Sequence, residues 1–273
     1  NEHAYEHAGK DSKVTQREET DEETIERMRE RFDMLEDMTR ATKKGDVRAM
    51  IVSGPPGVGK SFGVEKVLGK HDLISTLGER APKYQVVKGA MSAIGLYCKL
   101  FNYADKDNVL VFDDCDSIFA DELSLNILKA ALDSKKNRTI HWNTDSFKLR
   151  NEGVPDSFTF RGGAIFITNL KFDKSKGKVR EHLMALESRC HYIDLTIDTD
   201  REKMLRIQQI VKDGMLTEYK LDSDTVQDIV DFVDINKNRL RELSLRTVLK
   251  VADLAKAFPT KWEAMAENTV MKR

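Results

Sequence analysis

The sequence predicts an α/β fold, a parallel sheet covered on both faces, followed by a smaller all-helical unit. Three observations predict it. Short apolar runs alternate with helical stretches between residues 47 and 198, the pattern of strand–helix units in a parallel sheet. The first run leads directly into a Gly/Pro-rich loop and then a helix. Beyond residue 200 the strand signal ends, and only amphipathic helical patterns follow.

Bulk numbers set the limits. A chain of 273 residues suffices for one large domain plus a small one, with a substantial core. Its 45 basic and 46 acidic residues give a net charge of −1, so there is no global electrostatic case for nucleic acid or membrane. The charge is uneven. Residues 1–46 carry 9 basic and 14 acidic side chains, net −5, which leaves +4 for the rest. Cys98, Cys115 and Cys190 lie far apart without metal-ligand spacing, and read as reduced thiols of a cytoplasmic protein. No apolar run is long enough for a membrane span, and no secretory signal is evident.

The elements follow in order. Residues 1–20 are polar and aperiodic, a tail expected to be disordered. In 21–45, Ile25, Met28, Phe32, Leu35 and Met38 recur at helical spacing, and Gly45 is the expected stop. This helix is free to pack on the sheet, bridge subunits or bind a partner. "VRAMIVSG" predicts the first strand, "GPPGVGKS" a loop, and a helix runs to about residue 69. "KYQVVKG" is a second strand, "MSAIGLYCKLFNYA" a helix, "NVLVFDD" a third strand, and 118–134 a helix. "RTIHW" and "SFTF" bracket an irregular polar stretch. "GAIFITN" is a fourth strand, 178–188 a helix, and "CHYIDLTI" a fifth strand. Helices are expected at 200–213, 223–234, 239–257 and 259–269. The chain thus divides into an α/β domain over 46–198 and a helical unit over 199–273.

Two stretches carry chemistry. Gly54-Pro55-Pro56-Gly57-Val58-Gly59-Lys60-Ser61 fits the phosphate-loop pattern, with a strand before it and a helix after it. Glycines let backbone N–H groups turn toward phosphate oxygens, and the helix start favours the anion. Lys60 would reach the β- and γ-phosphates, Ser61 would ligate Mg²⁺, and Phe62 follows in the same cradle. Such a loop needs a strand-end carboxylate near the metal, and "VLVFD" supplies Asp113. Asp114 stands where a general base would orient the attacking water. Asp116 reads as a solvated turn residue or a helix N-cap. A calcium loop is excluded, because 113–124 has no glycine and includes Phe119, Ala120 and Leu123.

Over 46–257 these features resemble the AAA+ ATPases. The resemblance rests on the phosphate loop, "VLVFDD", "GAIFITN", "ALESRCHYIDL" and "LRELSLRTVLKVADLAKA". It implies a five-stranded sheet of order 5-1-4-3-2, a helical lid, and ATP with Mg²⁺. It further implies Asn169 as sensor 1, and Arg189 of the Ser188-Arg189-Cys190 triplet as an arginine finger of clamp-loader type. Arg180 and Arg161 are substitutes for the finger. Arg246 fits sensor 2, with Arg241 and Arg239 as rivals. The implied assembly is a homo-oligomeric head-to-tail ring, a hexamer in the family's usual form, acting on a polymer. DNA is favoured over protein, and a slow or non-hydrolysing switch is a third reading. The compact build resembles phage-encoded members.

The sequence also departs from that pattern. Glutamate is usual where Asp114 stands. Residues 138–160 suggest a β-hairpin before the fourth strand, with Trp142, Lys148 and Arg150 as substrate-contact candidates or as an ordinary surface excursion. "KGAMSAIG" occupies the place of a pore loop without the usual aromatic tripeptide, leaving Lys88 and Met91 as candidate contacts.

Overall fold

A computed structural model describes residues 17–77, 83–135 and 137–273 of the chain. Most of the expected tail, residues 1–16, lies outside the described residues. Just inside them, Thr20 caps helix α1 (Asp21–Lys44) in a reciprocal capping box with Glu23. Gly45 ends the helix at φ 85°, a left-handed position that favours glycine. Then follow β1 (Ala49–Ser53), α2 (Lys60–Leu77), β2 (Tyr84–Lys88), α3 (Ala93–Asn102) and β3 (Val109–Asp113). Next come α4 (Ser117–Ala120), α5 (Glu122–Ala131), β4 (Thr139–His141), α6 (Phe147–Glu152), β5 (Ser157–Thr159) and β6 (Gly163–Thr168). The chain closes with α7 (Gly177–Glu187), β7 (His191–Asp194), α8 (Asp200–Lys212), α9 (Ser223–Ile235), α10 (Leu245–Ala257) and α11 (Trp262–Thr269).

The main sheet has five parallel strands in the order β2-β3-β6-β1-β7. β4 and β5 enter the count between β3 and β6 but form a separate antiparallel ribbon. With that ribbon set aside, the main strands read 5-1-4-3-2 from the β7 edge. The central strands β1, β3 and β6 are buried throughout, and their alternation serves two cores. Ala49, Ile51, Leu110, Phe112, Ala164 and Phe166 join α3, α5 and α7 on one face. Met50, Val52, Val109, Val111, Ile165 and Ile167 join α1 and α2 on the other. A strand places successive side chains on opposite faces, so one apolar run feeds both layers.

The N-terminal helix packs on the sheet. Met28, Phe32 and Leu35 are buried in the second core beside Val58 and Val64. A third core, around Ile229, Val233, Val248 and Val251, holds the C-terminal helices together.

Four expected elements differ. Helix α2 continues past Gly69 to Leu77, because glycine weakens a helix without ending it. The helix expected over 118–134 breaks at Asp121 into α4 and α5, and Asp121 caps α5 through Ser124 N at 3.1 Å. The fifth strand is only four residues, β7. The helix expected from 239 begins at Leu245, with Ser244 as its cap. Residues before it are tied to the chain's end instead, through Arg241 N to Val270 O and Lys272 N to Arg239 O. No helix among the described residues is long and apolar enough to cross a membrane.

Candidate functional site

The loop between β1 and α2 lies at the carboxyl ends of the strands, where open α/β sheets bind ligands. Gly57 and Gly59 have φ 72° and 94°, values that let the backbone wrap an anion without strain. Lys60 is buried, and its Nζ donates to Gly54 O (2.8 Å), Pro55 O (2.7 Å) and Asn169 Oδ1 (2.8 Å). Burial pushes its ammonium down to about 8, with Arg246 pushing the same way and Asp113, Asp114 and Asp116 opposing. Ser61 Oγ donates to Asp113 Oδ2 at 2.7 Å. Asp113 ends β3 and is nearly buried, and Lys88 Nζ lies 3.7 Å from its Oδ2.

These residues share a cleft of about 440 Å³ with Asp114, Phe62, Pro56, Met215, Leu245, Arg246 and Leu249. Its oxygens come from hydroxyl, carboxylate, amide and peptide groups, with no thiol or imidazole in the lining. That donor set fits a magnesium-bearing polyphosphate, with Ser61 and Asp113 as the residues that would hold the ion. The apolar side chains from the helical unit suit a flat ring system, as ligand clefts commonly combine apolar walls with a few polar groups.

Asp114 is exposed at the cleft with φ 56°, and its N–H donates to Ile167 O at 3.1 Å. The left-handed backbone turns the chain out of β3 at this point. Asn169 follows β6 directly, and register places Ser53 of β1 beside Thr168. Adjacent strands therefore bring Lys60, Asp113 and Asn169 to one place from positions far apart in sequence.

Asp116 corrects both sequence readings. It is half-buried, it precedes α4 without a side-chain cap, and its Oδ1 accepts from Thr168 Oγ1 at 2.8 Å. Thr168 Oγ1 in turn accepts from Leu170 N at 3.0 Å. Asp116 thus fastens the turn that presents Asn169, and burial raises its carboxyl above the usual range. Cys115 is buried between the carboxylates. Its Sγ donates to Val87 O at 3.1 Å, and burial pushes the thiol up to about 11.

The candidate arginines separate. Arg246 lines the cleft from α10, with Glu242 3.7 Å away. Arg241 is turned to the chain's end, its Nε donating to Met271 O at 3.0 Å, and Arg239 precedes α10 and is absent from the cleft lining. Arg189 lies at the other end of the sheet, just before β7, beside Arg48, Asp133 and Ser134. Its Nη1 donates to Ala185 O at 2.7 Å, and its buried Nε has no partner among the described residues. Arg161 and Arg180 are exposed. In the ribbon, Trp142 packs against Tyr97 at 5.5 Å, so it faces the protein interior rather than a substrate. Lys148 and Arg150 are exposed, Arg150 being paired with Asp145 at 2.6 Å. Lys88 leans toward Asp113, and Met91 packs on the core.

Sequence reading missed Arg206, Ser244, Met215 and Thr168. Arg206 stands among charged residues of an amphipathic helix, and nothing local marks it as buried.

Comparison with known proteins gives a family. No protein-family model matches the chain. A 36.7 kDa protein from the nrdC-mobD intergenic region of Enterobacteria phage T4, described as uncharacterized, is 35% identical over 258 residues. The match covers 93% of this chain and 78% of the phage protein. The chain belongs to the family of this phage protein. The match spans nearly the whole of this chain, so it includes both the sheet and the helical unit. Among solved structures, S. cerevisiae Hsp104 in a casein complex, extended conformation, is similar over 90% of this chain and 40% of its own. The TM-score is 0.48 at 14% identity, too slight a likeness to carry a function across.

Proposed function

We propose that the chain is an AAA+ ATPase that hydrolyses ATP between subunits of a head-to-tail ring. The observation that carries this reading is the meeting of Lys60, Ser61, Asp113 and Asn169 in one cleft while Arg189 stands at the opposite end of the sheet. β1 alone separates those ends by roughly 16 Å at the usual rise per residue. An arginine so placed serves a neighbour's phosphates, not its own chain's. Repeated head-to-tail contacts of this kind close into rings or continue as helices, and a hexamer is the favoured form.

In this reading Lys60 and the loop N–H groups bind the phosphates. Ser61 and Asp113 hold Mg²⁺, which would spread the charge of the transferring phosphoryl group. Asp114 and Asn169 orient water, Arg246 approaches from the helical unit acting as a lid, and the neighbour's Arg189 completes the site. The favoured polymer is DNA, supported by the Ser188-Arg189-Cys190 triplet, by the antiparallel ribbon β4–β5 and by the +4 balance beyond residue 46. A protein polymer is the first alternative, and a slow switch is the third reading, supported by the short reach of Asp114.

The test is phosphate release and particle size with ATP, with and without DNA, for the wild type and Lys60→Ala. The ATPase reading expects release by the wild type, loss in Lys60→Ala, and larger particles with ATP. Absence of phosphate release in every assembly state leaves the switch. Stimulation by DNA that weakens with salt supports the DNA reading, and stimulation by an unfolded protein instead overturns it.

A further inference from the structure

Arg206 is a buried arginine, 6% exposed, in α8. Its guanidinium stands over the Phe32 ring of α1, 3.3 Å from the centroid. Its Nε donates to Val58 O at 3.3 Å and its Nη1 to Gln209 Oε1 at 3.2 Å. None of these partners is a carboxylate, and burial pushes the group down to about 10. Asp213, Glu36 and Asp33 oppose that shift from beyond ion-pair distance, and a buried guanidinium with no directly paired carboxylate costs stability, so its place against the phosphate loop calls for a gain elsewhere.

Peptide geometry supplies one. In a trans peptide the C=O and N–H point opposite ways. Holding Val58 O from outside therefore aims the Gly59 N–H inward. The preceding peptide is held likewise, since Leu245 N donates to Gly57 O at 3.1 Å, which aims the Val58 N–H inward. Two consecutive loop amides are thus oriented from behind by the helical unit. Gly59 leaves room for this grip, because a Cβ there would lie 3.4 Å from Arg206 Nη2 and 2.7 Å from Ile210 Cδ1.

We propose that Arg206 is a positioning residue for the phosphate loop, itself set in place by Phe32, so that α1 and α8 together tune nucleotide affinity. This rests on the nucleotide-binding reading above. Helix α1 is tied to the start of α8 by Arg27–Glu202 at 3.3 Å and Arg201 Nε–Asp21 at 2.7 Å. A partner that displaced α1 would loosen the loop without touching the cleft.

The test is binding of a fluorescent ATP analogue, steady-state hydrolysis and urea unfolding, on the full chain. Arg206→Met should raise Kd and KM by roughly tenfold, the loss of one charge-assisted hydrogen bond, with kcat little changed. Arg206→Lys should recover part of the affinity. Phe32→Leu, which keeps apolar bulk and removes the ring face, should weaken binding about threefold, in line with a cation–π contact. Val233→Ala, in the distant helical core, is the control for stability alone. The proposal is overturned if Arg206→Met binds like the wild type, or loses no more affinity than Val233→Ala at matched stability. If Arg206→Met does not fold, unchanged Kd in both Arg206→Lys and Phe32→Leu overturns it equally. Binding by the wild type that Lys60→Ala abolishes, with normal binding by Arg206→Met, removes this proposal and keeps the nucleotide reading. No binding by the wild type removes both.

Discussion

At the carboxyl end of the main sheet, Lys60 bonds to Asn169 and feels Asp113, Asp114 and Asp116 around it. At the amino end, Arg48, Arg138 and Arg189 donate to backbone carbonyls, those of Asp133, Lys135, Ala131 and Ala185. No ion pair involves any of the three among the described residues. Arg138 is buried over the Phe160 ring and pushed down to about 10, by burial first and Arg48 second. The first end is a cradle whose cation already has carboxylates for company. The second is a group of cations with only partial charges to meet, and an anion from another molecule would suit it. The contrast teaches that position along the sheet, not residue type, decides which cation meets the chain's own carboxylates and which meets only backbone carbonyls; under the proposed ring, the second kind would serve a neighbour.

The largest effect should come from Arg189→Ala. In assembled protein, kcat should fall by about 10³-fold or more. Mixing Arg189→Ala with Asp114→Asn subunits should restore part of the activity, since each supplies what the other lacks. Normal hydrolysis by Arg189→Ala in the assembled state would break the contrast between the two ends. Asp114→Asn alone should lower kcat by roughly 10²-fold or more, the scale of general-base loss. Asp114→Glu should raise kcat above the wild type if the missing methylene limits reach, and a decrease would show that the shorter side chain is the fitted one.

Smaller effects sharpen the cradle. Thr168→Val removes the donor to Asp116 and the acceptor of Leu170 N, and should cost about 1–3 kcal/mol in urea unfolding. Nucleotide affinity should fall as pH rises past about 8. Burial holds free Lys60 near that value, and bound phosphates would raise it, so binding takes up a proton between the two values. The charged form is complete below 8, and its contribution is lost above it. Isothermal titration across pH 7 to 10 reads this, and a flat profile would show that Lys60 stays charged throughout.

Much of the α/β layering was legible because it is written in period-two and period-3.6 patterns. The run Val109 to Phe112 shows burial on both faces directly. The loop of residues 54–61 stood out because eight adjacent positions fit one pattern, and the structure sets it between β1 and α2 as that pattern requires. Asp116 was not legible, because its partner Thr168 ends β6, and only the pairing of β6 with β3 brings the two together. Arg239 and Arg241 looked helical because their sequence continues the α10 pattern, yet hydrogen bonds to the chain's end outweigh that local preference. Arg206 was hidden for a related reason. Its environment is built by Val58, 148 residues upstream, and by Phe32 of α1, further upstream still, which only the fold brings to it.

The bond from Leu245 N to Gly57 O also furnishes a clock. An amide at the first position of a helix has no partner within that helix, so this one exchanges its hydrogen whenever the helical unit lifts from the loop. Its exchange rate, compared with that of Val248, whose N–H is held by Ser244 O, would time the opening of the cleft separately from the melting of α10. Any rate of phosphate release found under the proposed function could then be set against a motion measured in the same molecule.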